Sequence, residues 1–275
     1  MIEGVRSADQ YLYHYTPCPE VILKSRTLRF GAYSKTNDPK ESKVWEFNLG
    51  TNENANFDKY DMKALGTWLS TEIKSKTRIA CFAMDAPPLS GNHLADIFRR
   101  GFCKPRMWAQ YANRHKGACL VFDRQKLYAL IDEQFRSSHL IISGPVVYLN
   151  RDVIPRLEDT AYTIDVDYLE TMGRDEYLKW HRQTYFKQFF FEKMTDWRDE
   201  LEFRWVILGT DANDLYVTFD GALVGIMFGD DAEESTIDEI KTMTAGMGLR
   251  YMGLKWKNCS PWYDFGNLKY LGLKI

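Results

Sequence analysis

Two carboxylates and a guanidinium stand at every second position of WRDELEFRWVIL, residues 197–208: Glu200, Glu202 and Arg204. Leu201, Phe203, Trp205 and Ile207 alternate with them. A strand sends residues i and i+2 to one face, so this spacing predicts a half-buried strand, apolar inward and polar outward. Such a polar row is either a solvated ion-pair ladder, worth at most about 1 kcal/mol per pair, or the wall of a site. In a site, a carboxylate takes up a proton or steadies developing positive charge. Further candidates lie in other short stretches. His14 and Thr16 alternate in LYHYT, residues 12–16. Asp38 and Glu41 fall in TNDPKE, residues 36–41. Trp108, Tyr111 and His115 fall at i, i+3 and i+7 of MWAQYANRHKG, residues 107–117, which predicts one helical face. Arg99, Arg100, Lys104 and Arg106 cluster ahead of it, as a phosphate-holding patch or as solvated surface.

Each candidate has a structural alternative. His14 reads equally well as a buried histidine hydrogen-bonded to backbone. Asp38-Pro39 reads as a helix start, with Asp38 the cap, proline at the first helical position and Glu41 closing a capping box. The Trp108–Tyr111–His115 spacing suits an aromatic core stripe.

Composition removes several classes. The chain has 275 residues, 45 % hydrophobic, 15 % aromatic, with a net charge of -2. That charge argues against a dedicated nucleic-acid binder. Cys18, Cys81, Cys103, Cys119 and Cys259 form no C-x-x-C pair, so they read as free thiols in a reducing compartment. His14, His93, His115, His139 and His181 show no metal-ligand spacing, and neither a phosphate-loop motif nor G-x-S-x-G occurs. The polar start MIEGVRSADQ and the lack of a long apolar run predict a cytoplasmic protein with no membrane span.

The elements that must position these residues follow from periodicity. Strands are predicted at 12–16, 28–30, 78–84, 118–123, 144–149, 215–219, 223–228 and 249–256. Helices are predicted at 20–24, 63–74, 107–112, 124–135 and 235–244. Leu65, Trp68, Leu69 and Ile73 make the inner side of the second. Residues 50–62 read as a loop, and 151–162 are weakly patterned. Residues 164–193 form a long helical region that should break near Gly173. The expected fold is a single α+β domain over 1–275, with mixed, largely antiparallel sheets flanked by helices and a helical insertion around 151–193.

Four motifs taken in order carry a resemblance: Tyr-His-Tyr-Thr at 13–16, Asn-Asp-Pro at 37–39 with Glu41, Met-Trp through His-x-Gly at 107–117, and Trp-x-x-Glu-x-Glu-x-Arg at 197–204. An apolar strand ending in glycine at 223–229 accompanies them. Together they resemble the bacterial family called domain of unknown function twenty-nine seventy-one, over nearly the whole chain. More distantly, the opening His-x-Thr strand and the later Glu-x-Glu resemble ADP-ribosyltransferase folds, including a DNA-modifying type.

That second resemblance implies an ADP-ribosyltransferase-like core and NAD as cofactor. His14 and Thr16 would then face the cofactor ribose, and Glu202 or Glu200 would be the catalytic acid. Cleavage of the nicotinamide–ribose bond is oxocarbenium-like, and a carboxylate beside it supplies the countercharge. Tyr33, Trp108 or Tyr111 would stack on nicotinamide, and Arg106 or Arg204 would pair with the pyrophosphate. Arg204 has a rival role in neutralising its neighbouring carboxylates. The middle Tyr or Ser strand position of those transferases has no counterpart in this sequence.

The leading expectation is an NAD-dependent transferase of ADP-ribose to a nucleic-acid or protein acceptor, as a toxin or phage-defence effector. A metal-dependent nuclease built on Asp38, Glu41, Glu200 and Glu202 is the second. A non-catalytic binding module, with the motifs serving packing and capping, is the third.

Overall fold

The computed structural model describes residues 4–51, 56–151, 160–210 and 213–263. The chain opens with β1 (Tyr11–Thr16), α1 (Pro19–Ser25) and β2 (Thr27–Ala32). The one-turn helix α2 (Pro39–Ser42), β3 (Asn48–Gly50), α3 (Met62–Ser75) and β4 (Thr77–Ala83) follow. Next come α4 (Pro105–Tyr111), β5 (Ala118–Asp123), α5 (Arg124–Phe135), β6 (Leu140–Pro145) and β7 (Val147–Tyr148). The middle holds β8 (Thr163–Asp165), α6 (Val166–Met172), α7 (Arg174–Thr184), α8 (Phe186–Phe190) and β9 (Glu192–Lys193). β10 (Glu202–Leu208), β11 (Leu215–Thr218), β12 (Leu223–Phe228), α9 (Glu234–Met243), β13 (Arg250–Lys257) and β14 (Ser260–Tyr263) complete the order.

Among the described residues, ten strands make one sheet along the path β11-β2-β4-β1-β5-β12-β13-β14, with β10 pairing both β4 and β6. Its ladders are antiparallel except β12–β13, which is parallel. Two small parallel ladders, β3–β8 and β7–β9, lie outside it. The expected α+β class, mixed and mostly antiparallel with flanking helices, is the one found. β4 is its hub. β10 runs along all of it, from Glu202 opposite Ala83 to Leu208 opposite Thr77. β2 meets β4 only at Ile79 and Arg78, and β1 only at Ala83.

β10 departs from the half-buried strand its alternation predicts, because every residue of it is buried. Phe203, Trp205 and Ile207 pack with Leu28, Phe30, Phe82 and Phe122 on one side. Val206 and Leu208 pack with Tyr33, Leu69, Ile73 and Phe189 on the other. The second side is closed by α3, α7 and α8, whose aromatic residues need cover from water as much as the strand does. The predicted strand at 144–149 is instead two: β6 starts earlier, at Leu140, and stops at Pro145, which has no N–H to continue a ladder.

The long helical region breaks at Gly173, whose φ of 74° ends α6, and again at Tyr185 between α7 and α8. Most of the weakly patterned stretch, 152–159, and part of the expected loop, 52–55, lie outside the described residues. All the cysteines are free thiols. No helix among the described residues is long and apolar enough to cross a membrane.

His181, on α7, is fully buried between the rings of Tyr177, Tyr185 and Phe189, with Nε2 3.0 Å from the Ala161 carbonyl. Burial lowers its pKa to about 4, and the backbone contact opposes this only in part. An unfolded histidine titrates near 6.5. The unfolded chain therefore takes the proton first as pH falls. The stability carried by neutral His181 is complete above about pH 6.5 and is lost as pH falls through about 4. Urea unfolding at pH 7.5 and at pH 5 should show a loss on the order of 2 kcal/mol in the wild type. His181→Gln should show a clearly shallower pH dependence, and equal slopes in the two proteins would exclude this role.

Candidate functional site

The polar residues of three motifs meet on one face of β4 and β10. Glu200 does not sit on the strand as the alternation suggests. It ends a 3-10 turn, Thr195–Glu200, and Leu201 then takes a left-handed conformation with φ of 46°. That reversal swings Glu200 toward Tyr111 while Glu202 begins β10. Glu202 and Arg204 share a face, as residues i and i+2 of a strand must.

Arg204 is the centre. Its Nε donates to Glu202 Oε1 at 2.5 Å and its Nη2 to Glu202 Oε2 at 3.0 Å. Nη2 also lies 2.5 Å from Glu41 Oε1, and Nη1 donates to the Phe190 carbonyl at 2.8 Å. Lys193 extends the network, with Nζ 2.8 Å from both Glu202 Oε2 and Glu200 Oε2. Tyr111 donates its hydroxyl to Glu200 Oε1 at 2.8 Å and accepts from the exposed Asn37 amide at 2.8 Å. The charged members are out of water: Glu41 is 1 % exposed, Glu200 3 %, Glu202 4 % and Arg204 0 %.

Burial alone would raise the Glu202 carboxyl, but Arg204 and then Lys193 outweigh it and hold it below its ordinary value. A hydrogen bond from the Cys81 side chain acts the same way. Burial opposes the charge on Lys193, yet Glu202, Glu41 and Glu200 raise its pKa above normal. The Tyr111 hydroxyl is raised by burial and then by Glu200.

Around α2 the capping logic holds in part. Asp38 Oδ1 accepts from Lys40 N at 2.9 Å, with Pro39 at the first helical position. Glu41 closes no capping box; its carboxyl goes to Arg204, because a charged partner outweighs one backbone N–H. Lys74 reaches the carbonyls of Lys40, Glu41 and Lys43, and Lys40 reaches those of Gln188 and Glu192. Burial lowers both lysines to about 8.

His14 does not join the network. Tyr13, Ala83 and Glu202 lie in one lateral row across β1, β4 and β10, so they share a face. His14, one residue along, projects from the opposite face. There its ring contacts Phe82 at 5.5 Å, and Nδ1 lies 3.2 Å from the Cys81 carbonyl. Burial lowers its pKa. Thr16 is on the same side, its hydroxyl capping Cys18 N at 3.3 Å.

Tyr33 and Trp108 are fully buried core residues rather than stacking surfaces. Tyr33 donates to the Phe189 carbonyl at 2.7 Å, and Trp108 Nε1 to the Phe102 carbonyl at 2.7 Å. Arg106 is exposed, donates to the Asp196 carbonyl at 2.5 Å and lies 4.9 Å over the Trp197 ring.

His115 is not on α4, which ends at Tyr111. Asn113, Arg114 and His115 all have positive φ, so the chain leaves the helix in a left-handed turn. That turn still stacks His115 on Trp108, with centroids 6.4 Å apart, and brings its carbonyl against β12. A Cβ on Gly229 would lie 2.0 Å from the His115 oxygen, and one on Gly117 would lie 2.3 Å from the Thr16 oxygen. The two motif glycines are thus close-approach positions.

A family model described as "Protein of unknown function (DUF2971)" matches residues 107–205. This segment is similar to that family. It contains Tyr111, Lys193, Glu200, Glu202 and Arg204, and Asn37, Asp38 and Glu41 join it from outside. No curated protein and no solved structure matches the chain. The DUF2971-like segment thus supplies both long arms of the network, and the ADP-ribosyltransferase likeness gains no support from these comparisons.

Sequence reasoning passes over Lys193, Cys81 and Tyr148, whose hydroxyl accepts from Glu202 N at 2.9 Å. Lys193 does carry a signal. A lysine closing the aromatic run FFFEK is bound for burial, and a buried lysine needs a carboxylate.

Proposed function

We propose that this chain uses NAD to transfer ADP-ribose, with Glu200 as the acid beside the reacting ribose and Glu202 with Arg204 as its fixed support. The observation that carries the reading is the placement of Glu200. It is the carboxylate of the network tied to half-buried Tyr111 and through it to exposed Asn37. Glu202 has both oxygens spent on Arg204 and Lys193. A carboxylate held by one lysine and one phenol keeps lone pairs for a ribose hydroxyl and countercharge for an oxocarbenium-like state. Trp197, with Arg106 4.9 Å and Lys193 5.1 Å from its ring centroid, offers an aromatic and cationic surface nearby. His14 and Thr16, expected on the cofactor ribose, lie across the sheet from the carboxylates; this counts against the reading and leaves it resting on Glu200. The acceptor is a nucleic acid or a protein, and the setting a cytoplasmic toxin or phage-defence effector.

The test is nicotinamide release by the purified chain from NAD, with DNA, RNA and protein acceptors supplied in turn. Wild type should release it. Glu200→Gln should lose about a hundredfold or more while remaining folded at the assay temperature. No release with any acceptor, or undiminished release by Glu200→Gln, would overturn the reading.

Closure of the network favours a second reading, a non-catalytic module in which the charges fix the mutual position of β4, β10, α2 and α8. Then Glu200→Gln changes stability and no ligand response exists. The nuclease reading has less support. The four acids pair with Arg204, Lys193 or backbone donors, and among the described residues no three His, Cys, Asp or Glu side chains gather as a metal site.

A further inference from the structure

A cavity of about 280 Å³ opens on the other face of β10, between α5 and β6. Its helical wall is Tyr128, Ile131, Asp132 and Arg136, residues spaced to share one face of α5. Trp205 and Ser143 form the floor. They are directly paired across β10 and β6, so the hydroxyl lies beside the indole. His139 and Ile141 complete the rim.

The polar groups here differ from those of the charge network. The charges of that network pair with one another, although Glu41 Oε2 and Asp38 Oδ2 are buried without a hydrogen-bond partner among the described residues, whereas the cavity holds half-exposed groups with capacity to spare. Among the described residues the Tyr128 and Ser143 hydroxyls have no hydrogen-bond partner, and His139 engages only through Nδ1, 2.7 Å from Ser138 Oγ. Arg136 engages Asp132 through Nε, which neutralises the one acid lining the cavity and leaves the terminal nitrogens of Arg136 to donate. Arg136 and the Tyr128 and Ser143 hydroxyls are therefore free to donate around the cavity. Tyr128 and Trp205 are in tilted contact, 6.3 Å apart at 52°, so the half-exposed Tyr128 ring is the aromatic surface a ligand meets, with buried Trp205 behind it.

We propose that this cavity binds a planar aromatic acid. The ring lies against Tyr128 and Ile141, above buried Trp205 and Ile131. The anionic group is held by the terminal nitrogens of Arg136, and Ser143 or Tyr128 donates to a ring substituent. The volume suits one or two fused rings with a short acidic arm rather than a dinucleotide. The site shares no residue with the charge network and stands whether or not the chain uses NAD.

The experiment is calorimetric titration of the full chain with indole-3-acetate, with indole-3-acetamide as the uncharged control. Wild type should bind the acid at least tenfold more tightly than the amide. Arg136→Ala, an exposed position, should weaken the acid about tenfold by loss of one charge-assisted hydrogen bond. Ser143→Phe should fill the cavity and abolish binding of both compounds. No binding by wild type at millimolar concentration would overturn the proposal. So would equal affinity for acid and amide, or wild-type affinity in a folded Arg136→Ala protein.

Discussion

Arg204→Ala should cost about 3–5 kcal/mol of folding stability, which is enough to unfold many domains of ordinary stability. The size follows from what it leaves behind. Glu202 and Glu41 lose their guanidinium where neither reaches water, and the Phe190 carbonyl loses its donor. Lys193 would remain beside Glu202 and Glu200, and Glu41 would be left without its guanidinium. Removing both sides should cost less than removing one. Glu202→Leu with Arg204→Met places apolar volume where the pair stood, and such replacements are often neutral apart from any acid still exposed to the change, here Glu41. Urea unfolding of the single and double variants decides it. A single variant within about 1 kcal/mol of wild type would mean that the network behaves as a solvated surface ladder.

Trp108→Ala should be comparably severe, at about 3–5 kcal/mol and a Tm fall on the order of 10 °C. Trp108 is fully buried, sits edge-on to Tyr15 at 5.2 Å and stacks with His115. Its Nε1 satisfies the Phe102 carbonyl, and its ring backs Gly229. The substitution therefore opens a cavity where α4, β1, β5 and β12 meet and orphans a buried acceptor. Thermal melting followed by circular dichroism measures this directly. A variant that melts like wild type but loses response to NAD would return Trp108 to the ligand-stacking role.

Several elements are legible in the sequence alone. α5 and β5 follow their periodicity to the residue, and α3 buries Leu65, Leu69 and Ile73 as its spacing predicts. The Asp38-Pro39 start of α2 is legible for the same reason, since a cap is a contact two residues long. The candidate site is legible only as a set of residue types. Leu201 shows why: a non-glycine residue in the left-handed region has no sequence signature, so the alternation puts Glu200 on the wrong element.

By itself, the sequence determined the α+β class, most strand and helix positions, and the motifs whose side chains matter, because these rest on interactions within a few residues. Only the tertiary structure decided that the polar face of β10 is buried. The helices covering it come from residues 62–75 and 174–190, and nothing local says which face they choose. It also decided that Glu41, Lys193, Glu200, Glu202 and Arg204 form one network while His14 stands apart. That separation turns on one register, Tyr13 opposite Ala83. A shift by a single residue would carry His14 to the other face, since a strand alternates its sides with every residue.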